Sequence, residues 1–266
     1  MTFRPPGIAV AVVSMLLAAG CRTVPVMGRK QLDLVSSDQE VTLGAEEFQK
    51  MEQTTPISHD PQANALVQHV GKRIAAVADL PNAKWEFVVF QSDEANAFCL
   101  PGGKVGVYAG ILPITQNDAG LATVLGHEIA HAAAHHGAER MSQQMAAQVG
   151  GSVAGALTSG SSQLTQEAVS AAYGAAAQVG VLLPFSRKQE AEADHIGMIY
   201  MARAGYDPAE AIAFWQHFAA YNRAHGGSKG LAFLQTHPLD EQRIQALKQE
   251  LPEAEAAYKK SQANAK

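Results

Sequence analysis

His127 and His131 stand four residues apart in Leu125-Gly126-His127-Glu128-Ile129-Ala130-His131, and the alanines that follow favour helix. At ~3.6 residues per turn, that spacing places both imidazoles on one helix face, about one turn apart. Two neutral imidazoles so placed can grip one zinc ion. Glu128, beside the first of them, is placed to take a proton from a water molecule that the metal acidifies. A helix with two incidental histidines would carry the same residues, so the rest of the chain has to supply a further ligand and leave one position open.

A metzincin would take that ligand ten residues beyond the first histidine, after a glycine at the seventh. Those positions here are Gly137 and Ala134, so that pattern is absent. His135 and His136 are too close along the same helix to complete a tetrahedral site easily. His135, one more turn along the same side, is the better of the two, with a surface or packing role as the plainer reading. The stronger candidate is Glu190, in Ser186-Arg187-Lys188-Gln189-Glu190-Ala191-Glu192-Ala193-Asp194. Glu190 and Asp194 share a helix face, so Asp194 can stand behind the site and orient a histidine ring. A solvated acidic face is the alternative.

The elements that must position these groups follow from pattern and punctuation. Residues 1–20 read as a leader, with Arg4 before the apolar run Ile8 to Ala19. The small residues before Cys21 resemble a bacterial lipoprotein signal, which makes Cys21 the lipidated first residue and residues 21–37 a tether. A helix is expected from about Gln39 to Gln53, and another from Asp60-Pro61 carrying Leu66, Val70, Ile74 and Val77 on one face. Trp85 to Phe90 is a strand by its aromatic and β-branched content. Asn96 to Gly103 turns the chain, and Lys104 to Tyr108 is a second strand. Together these predict a small antiparallel sheet beside the metal helix.

That helix is expected to start at Asn117 or Asp118 and to run past His136. The Gly/Ser/Ala-rich stretch Gly150 to Ser162 reads as a mobile segment or a lid, and Gln163 to Gly180 as helix. Pro184 breaks the chain, Ser186 opens a helix that Gly205 ends, and Asp207-Pro208 opens the next. His225 to Ser228 is a loop. A last helix is expected from Pro238 to about Leu251, with residues 252–266 as a C-terminal tail ending in frayed residues.

Taken together, His127-Glu128-Ile129-Ala130-His131, the late Glu190-Ala191-Glu192-Ala193-Asp194, and Thr236-His237-Pro238 with Arg243 resemble the zinc metalloprotease family of the CAAX prenyl protease and the HtpX heat-shock protease. Asn96-Ala97-Phe98 and Pro101-Gly102-Gly103 also match it. The small bacterial periplasmic lipoprotein members are the nearer likeness, over residues 38–251. The resemblance implies a Glu-zincin fold: α+β, mainly helical, with a small sheet as one wall of the cleft. It implies one Zn2+ held by His127, His131 and Glu190, with Glu128 as general base and Asp194 behind the ligands. It also puts His237 near the metal, where it either stabilises the oxyanion or caps the zinc at rest; a helix-start packing role is the bland reading. Arg243 is expected to hold its loop through a carboxylate. Cys99, where family members usually have Ala, reads as a small buried hydrophobe, with a redox-sensitive thiol as the alternative.

The acidic balance, 25 against 20 basic residues, argues against nucleic acid as a partner. Two cysteines exclude a disulfide framework. The function that the resemblance implies is hydrolysis of peptide bonds in misfolded or unassembled envelope proteins, on the periplasmic side of a bacterial outer membrane, through a lipid anchor. The rival class is a chaperone-like or assembly-binding zinc lipoprotein whose site is capped and inactive. Lys104, Val105, Gly106, Val107 and Tyr108 are expected to lie at the sheet edge and to pair with an extended substrate backbone.

Overall fold

The computed structural model describes residues 21–160, 162, 163, 165, 167, 186–224, 232–237 and 241–264. The leader and most of Gln163–Gly180, as well as the His225 loop, lie outside the described residues. The elements run β1 (Cys21–Thr23), β2 (Lys30–Leu32), α1 (Ser37–Thr54), α2 (Pro61–Ala75), β3 (Glu86–Phe90), β4 (Ala97–Leu100) and β5 (Lys104–Tyr108). After a 3-10 turn come α3 (Leu112–Thr115), α4 (Asp118–Ala133), α5 (His136–Thr158), α6 (Arg187–Arg203), α7 (Ala209–Ala224), α8 (Ala232–Thr236) and α9 (Glu241–Asn264). The class is α+β, mainly helical, as expected.

The chain divides into two compact units, one holding β1, β2 and α5 beyond its first residue, the other holding nearly everything else. In the first unit, the expected tether is folded. β1 and β2 pair as an antiparallel hairpin. Arg22 bridges to Asp33 at 2.7 Å, and Arg29 reaches both carboxylate oxygens of Glu139 at 2.8 and 3.0 Å. Gly150 to Thr158 is the last part of the continuous helix α5.

The second unit carries the candidate chemistry. Its sheet has the order β3-β5-β4, with β3 parallel and β4 antiparallel to β5. Three sequence expectations are corrected here. The sheet is mixed and not antiparallel, because Glu86–Phe90 runs parallel to Lys104–Tyr108; Ala97–Leu100 is a strand and not part of a turn; and Lys104–Tyr108 is the middle strand and not an edge. Both flanks of Lys104, Val105, Gly106, Val107 and Tyr108 are thus taken by neighbours, so this strand has no backbone edge to offer a substrate. Gly106 serves packing instead, since a Cβ there would meet the rings of Phe98 and Phe90.

Asn117 caps α4 by accepting from the Gly120 N–H at 2.8 Å. The helix stops at Ala133 because His135 takes a left-handed conformation, φ 54°, and its ring pairs with the buried Glu40 carboxylate at 2.9 Å. That break corrects the expected run past His136 and turns His135 away from a ligand role. Across from α4, Ser186 and Gln189 form a reciprocal capping box that starts α6. α4 and α6 touch backbone to backbone: a Cβ on Gly126 would lie 2.8 Å from the Gly197 carbonyl oxygen, and one on Gly197 2.8 Å from the His127 amide nitrogen. Nothing larger than glycine permits that crossing.

The expected frayed tail is also helical. α9 continues through Pro252 to Asn264. An internal proline costs a helix one hydrogen bond and a steric clash. Here His195 of α6 pairs with Glu250 at 3.3 Å and Glu253 at 3.5 Å, one on each side of the proline, and Leu247 and Ala254 are buried. Tertiary contacts override the local penalty. Among the described residues, no helix is long and apolar enough to cross a membrane.

Candidate metal centre

The Gly126–Gly197 crossing sets the helix faces that carry His127, His131 and Glu190 against one another. His127, His131, Glu190 and His237, all buried, bring one donor atom each within 4.8 Å of one another. The His127 and His131 Nε2 atoms are 3.1 Å apart, and Glu190 oxygens lie 3.4 Å and 3.3 Å from them. His237 Nδ1 stands 3.2 Å from His127 Nε2 and 3.0 Å from Glu190. The corners of a tetrahedron with bonds of ~2.0–2.1 Å are about 3.3–3.4 Å apart, so this donor set fits a zinc ion.

The surrounding charge fits as well. Asp194 Oδ1 meets His127 Nδ1 at 3.0 Å, the ring atom opposite the metal-facing nitrogen. Arg243 grips both Asp194 oxygens at 2.7 Å and reaches Glu190 at 3.0 Å. Arg243 therefore holds two carboxylates of α6, and its guanidinium also lies over Trp215, 4.4 Å from the ring centroid. Burial alone would raise the Asp194 carboxyl, but the Arg243 charge and the His127 contact hold it below its usual value. Burial would likewise raise Glu190, and its hydrogen bonds to His127, His131 and His237 drive it far down. Burial disfavours a charged His127, yet Asp194 and Glu190 outweigh it and lift that imidazole to about 9. His131 goes the other way: burial, helped by His127 and His136, holds it well below its usual value.

Glu128 sits beside the donor set. Burial raises its carboxyl, opposed by His237 and His127, which makes it a better proton acceptor than an exposed carboxylate. His237 Nε2 lies 3.4 Å from it. The Cys99 thiol is pushed up by burial and then by the Glu128 charge, so it stays protonated as a small apolar group. β4 packs against α4, the helix that carries Glu128. Cys21 is exposed at the first residue of β1, in the other unit.

His127, Glu128, His131, Glu190, Asp194, His237 and Arg243 thus converge on one buried cluster, whereas His135 and Lys104–Tyr108 do not join it. Three participants carried too little sequence signal. His136 lies behind His131 and Glu192 behind His136, while Trp215 packs edge-on to His127 with ring centroids 5.7 Å apart. Glu192 belonged to the acidic motif, and its alternation with Glu190 was the clue available. Trp215 had none.

A profile of peptidase family M48 matches residues 61–251. The chain belongs to this family. It is 37% identical over 237 residues to the mitochondrial metalloendopeptidase OMA1 of Schizosaccharomyces pombe, covering 87% of this chain and 67% of that one. The OMA1 of Saccharomyces cerevisiae is 34% identical, over 89% of this chain and 71% of the relative. The β-barrel assembly-enhancing protease of Yersinia pestis is 32% identical over 83% of this chain, a match spanning 46% of that protein. The M48 chain described here is accordingly a zinc metalloendopeptidase. Its expected placement on a bacterial outer membrane does not hold, because mitochondrial endopeptidases stand among the strongest matches. The physical reason is that an apolar stretch with one arginine and no acidic residue, as in residues 1–20, is compatible with more than one targeting route.

Proposed function

We propose that His127, His131 and Glu190 hold the zinc, that Glu128 is the general base and acid, and that the substrates are misfolded or unassembled membrane proteins presented in extended form. The donor spacing of a tetrahedron is the observation that carries the ligand assignment. Bound there, zinc polarises the scissile carbonyl and acidifies a water molecule. Glu128 takes the proton from that water and returns it to the leaving amine nitrogen. Asp194 fixes the His127 tautomer by accepting from Nδ1–H, and Arg243 keeps Asp194 ionised.

His237 is the closing group of the resting site. A catalytic zinc site keeps one position open, and His237 Nδ1 stands where that position would be. Peptide entry therefore requires His237 to withdraw. Substrate backbone pairs with the outer edge of β4, where no strand partner lies among the described residues. Tyr108 N–H bonds the Asn96 carbonyl and Gly103 N–H the Leu100 carbonyl, an alternation that turns the Cys99 N–H and C=O outward. Backbone pairing is indifferent to sequence, as a clearance protease needs. The name of the β-barrel assembly-enhancing relative supports this substrate class. Acylation of Cys21 is a separate chemical proposal, decided by the mass of the mature N-terminus.

Glu128→Gln tests the central assignment. It leaves the donors in place, so zinc content by elemental analysis stays at the wild-type level while cleavage of an unfolded protein falls by about 100-fold or more. Wild-type cleavage by this variant would sink the role of Glu128.

A further inference from the structure

Behind His131 lies a second buried chain of polar groups. His131 Nδ1 is 2.9 Å from His136 Nδ1, and His136 Nε2 is 3.2 Å from a Glu192 oxygen. His136 is fully buried, and Glu192 and His131 nearly so. His136 does not face the donor cluster: its contact is to the ring nitrogen of His131 on the far side from Nε2. We infer that His136 and Glu192 are positioning residues that fix the tautomer and ring orientation of His131, as Asp194 does for His127.

The proton count follows from the geometry and rests on the ligand assignment above. If His131 Nε2 gives its lone pair to a metal, the ring proton must sit on Nδ1. That N–H points at His136 Nδ1, which must then be the accepting nitrogen, so the His136 proton sits on Nε2. There it faces Glu192, which accepts. One tautomer of each ring satisfies both of these contacts, and the reverse pair would leave His131 Nε2 without a lone pair for the metal. The chain's last turn of α4 and the break at His135 serve this arrangement. The left-handed residue brings the first residue of α5 back over the ligand, where a continuous helix would have carried it past.

Partners of this kind are worth about 10–100-fold in metal affinity. The experiment measures zinc affinity of the full chain by competition with a chromophoric chelator, and the thermal midpoint of the metal-free protein by circular dichroism. His136→Leu removes the acceptor and should lose affinity by about 10–100-fold. His136→Asn puts an amide oxygen near the former Nδ1 position and should retain most of it. If the leucine variant fails to fold, Glu192→Leu against Glu192→Gln makes the same comparison one link further out: the amide still accepts from Nε2–H, the leucine does not. Loss with leucine and rescue by the amide, at an unchanged metal-free midpoint, is the expected result. Equal affinity of wild type and His136→Leu, or equal loss in His136→Leu and His136→Asn, overturns the inference alone. A wild-type chain that takes up no zinc overturns the ligand assignment and this inference with it.

Discussion

The α4–α6 side and the α8 side of the metal centre are built on different terms. His127, His131 and Glu190 project from long helices that meet backbone to backbone at Gly126 and Gly197, and each is held from behind by further buried polar groups. His237 follows directly on α8, a five-residue helix. Phe233 stacks 4.5 Å from its ring, and the ring reaches Glu190 at 3.0 Å, His127 at 3.2 Å and Glu128 at 3.4 Å. Three donors sit on long helices, whereas the fourth follows a single short turn of helix. On the proposed function, that difference separates three lasting ligands from one that withdraws.

Breaking the fixed side should have the largest effect. Glu190→Gln replaces an anionic ligand by a neutral amide and leaves Arg243 with one carboxylate fewer. Zinc affinity should fall by more than about 100-fold, since even the outer partners of a ligand are worth 10–100-fold. Full occupancy at limiting zinc would show that the third ligand lies elsewhere.

A smaller effect sharpens the contrast between the two histidines of α4. In the metal-free chain His127 keeps a proton up to about pH 9, while His131 is already neutral. Zinc must displace one proton and not two. Apparent affinity should therefore be flat above pH 9 and fall by about tenfold per unit below it. A hundredfold fall per unit would mean that both rings are charged.

The smallest effect is expected at His237, the donor proposed to withdraw. His237→Ala should raise basal cleavage of an unfolded protein by a few-fold while keeping zinc bound, because more of the population is open to substrate. A loss of cleavage with zinc retained would instead give His237 the task of stabilising the oxyanion.

The parts of this centre that repeat with the helical period were legible in the sequence. His127, Glu128 and His131 announce themselves, and Glu190 with Asp194 does so once a second helix is granted. The sheet order was not legible, because Ala97–Leu100 is a four-residue strand pressed between Asn96 and Pro101-Gly102-Gly103, and its turn signals outweigh its short apolar run. Without that strand, Lys104–Tyr108 looks like an edge. The end of α4 was hidden because His135 enters a left-handed conformation that alanine-rich neighbours do not foretell. α9 outran its expected end because the contacts that carry it across Pro252 come from His195, far away in the chain.

The donors lie far apart in the sequence: His237 is 47 residues from Glu190 and 110 from His127. Contacts between such distant residues form late in folding, after the entropy of closing the intervening loops has been met. A nascent or half-folded chain therefore holds the His127–His131 pair alone, too few ligands to grip zinc firmly. Proteolytic competence arrives only with the finished fold. Peptidase activity is in this way tied to completion of the fold that assembles the donors.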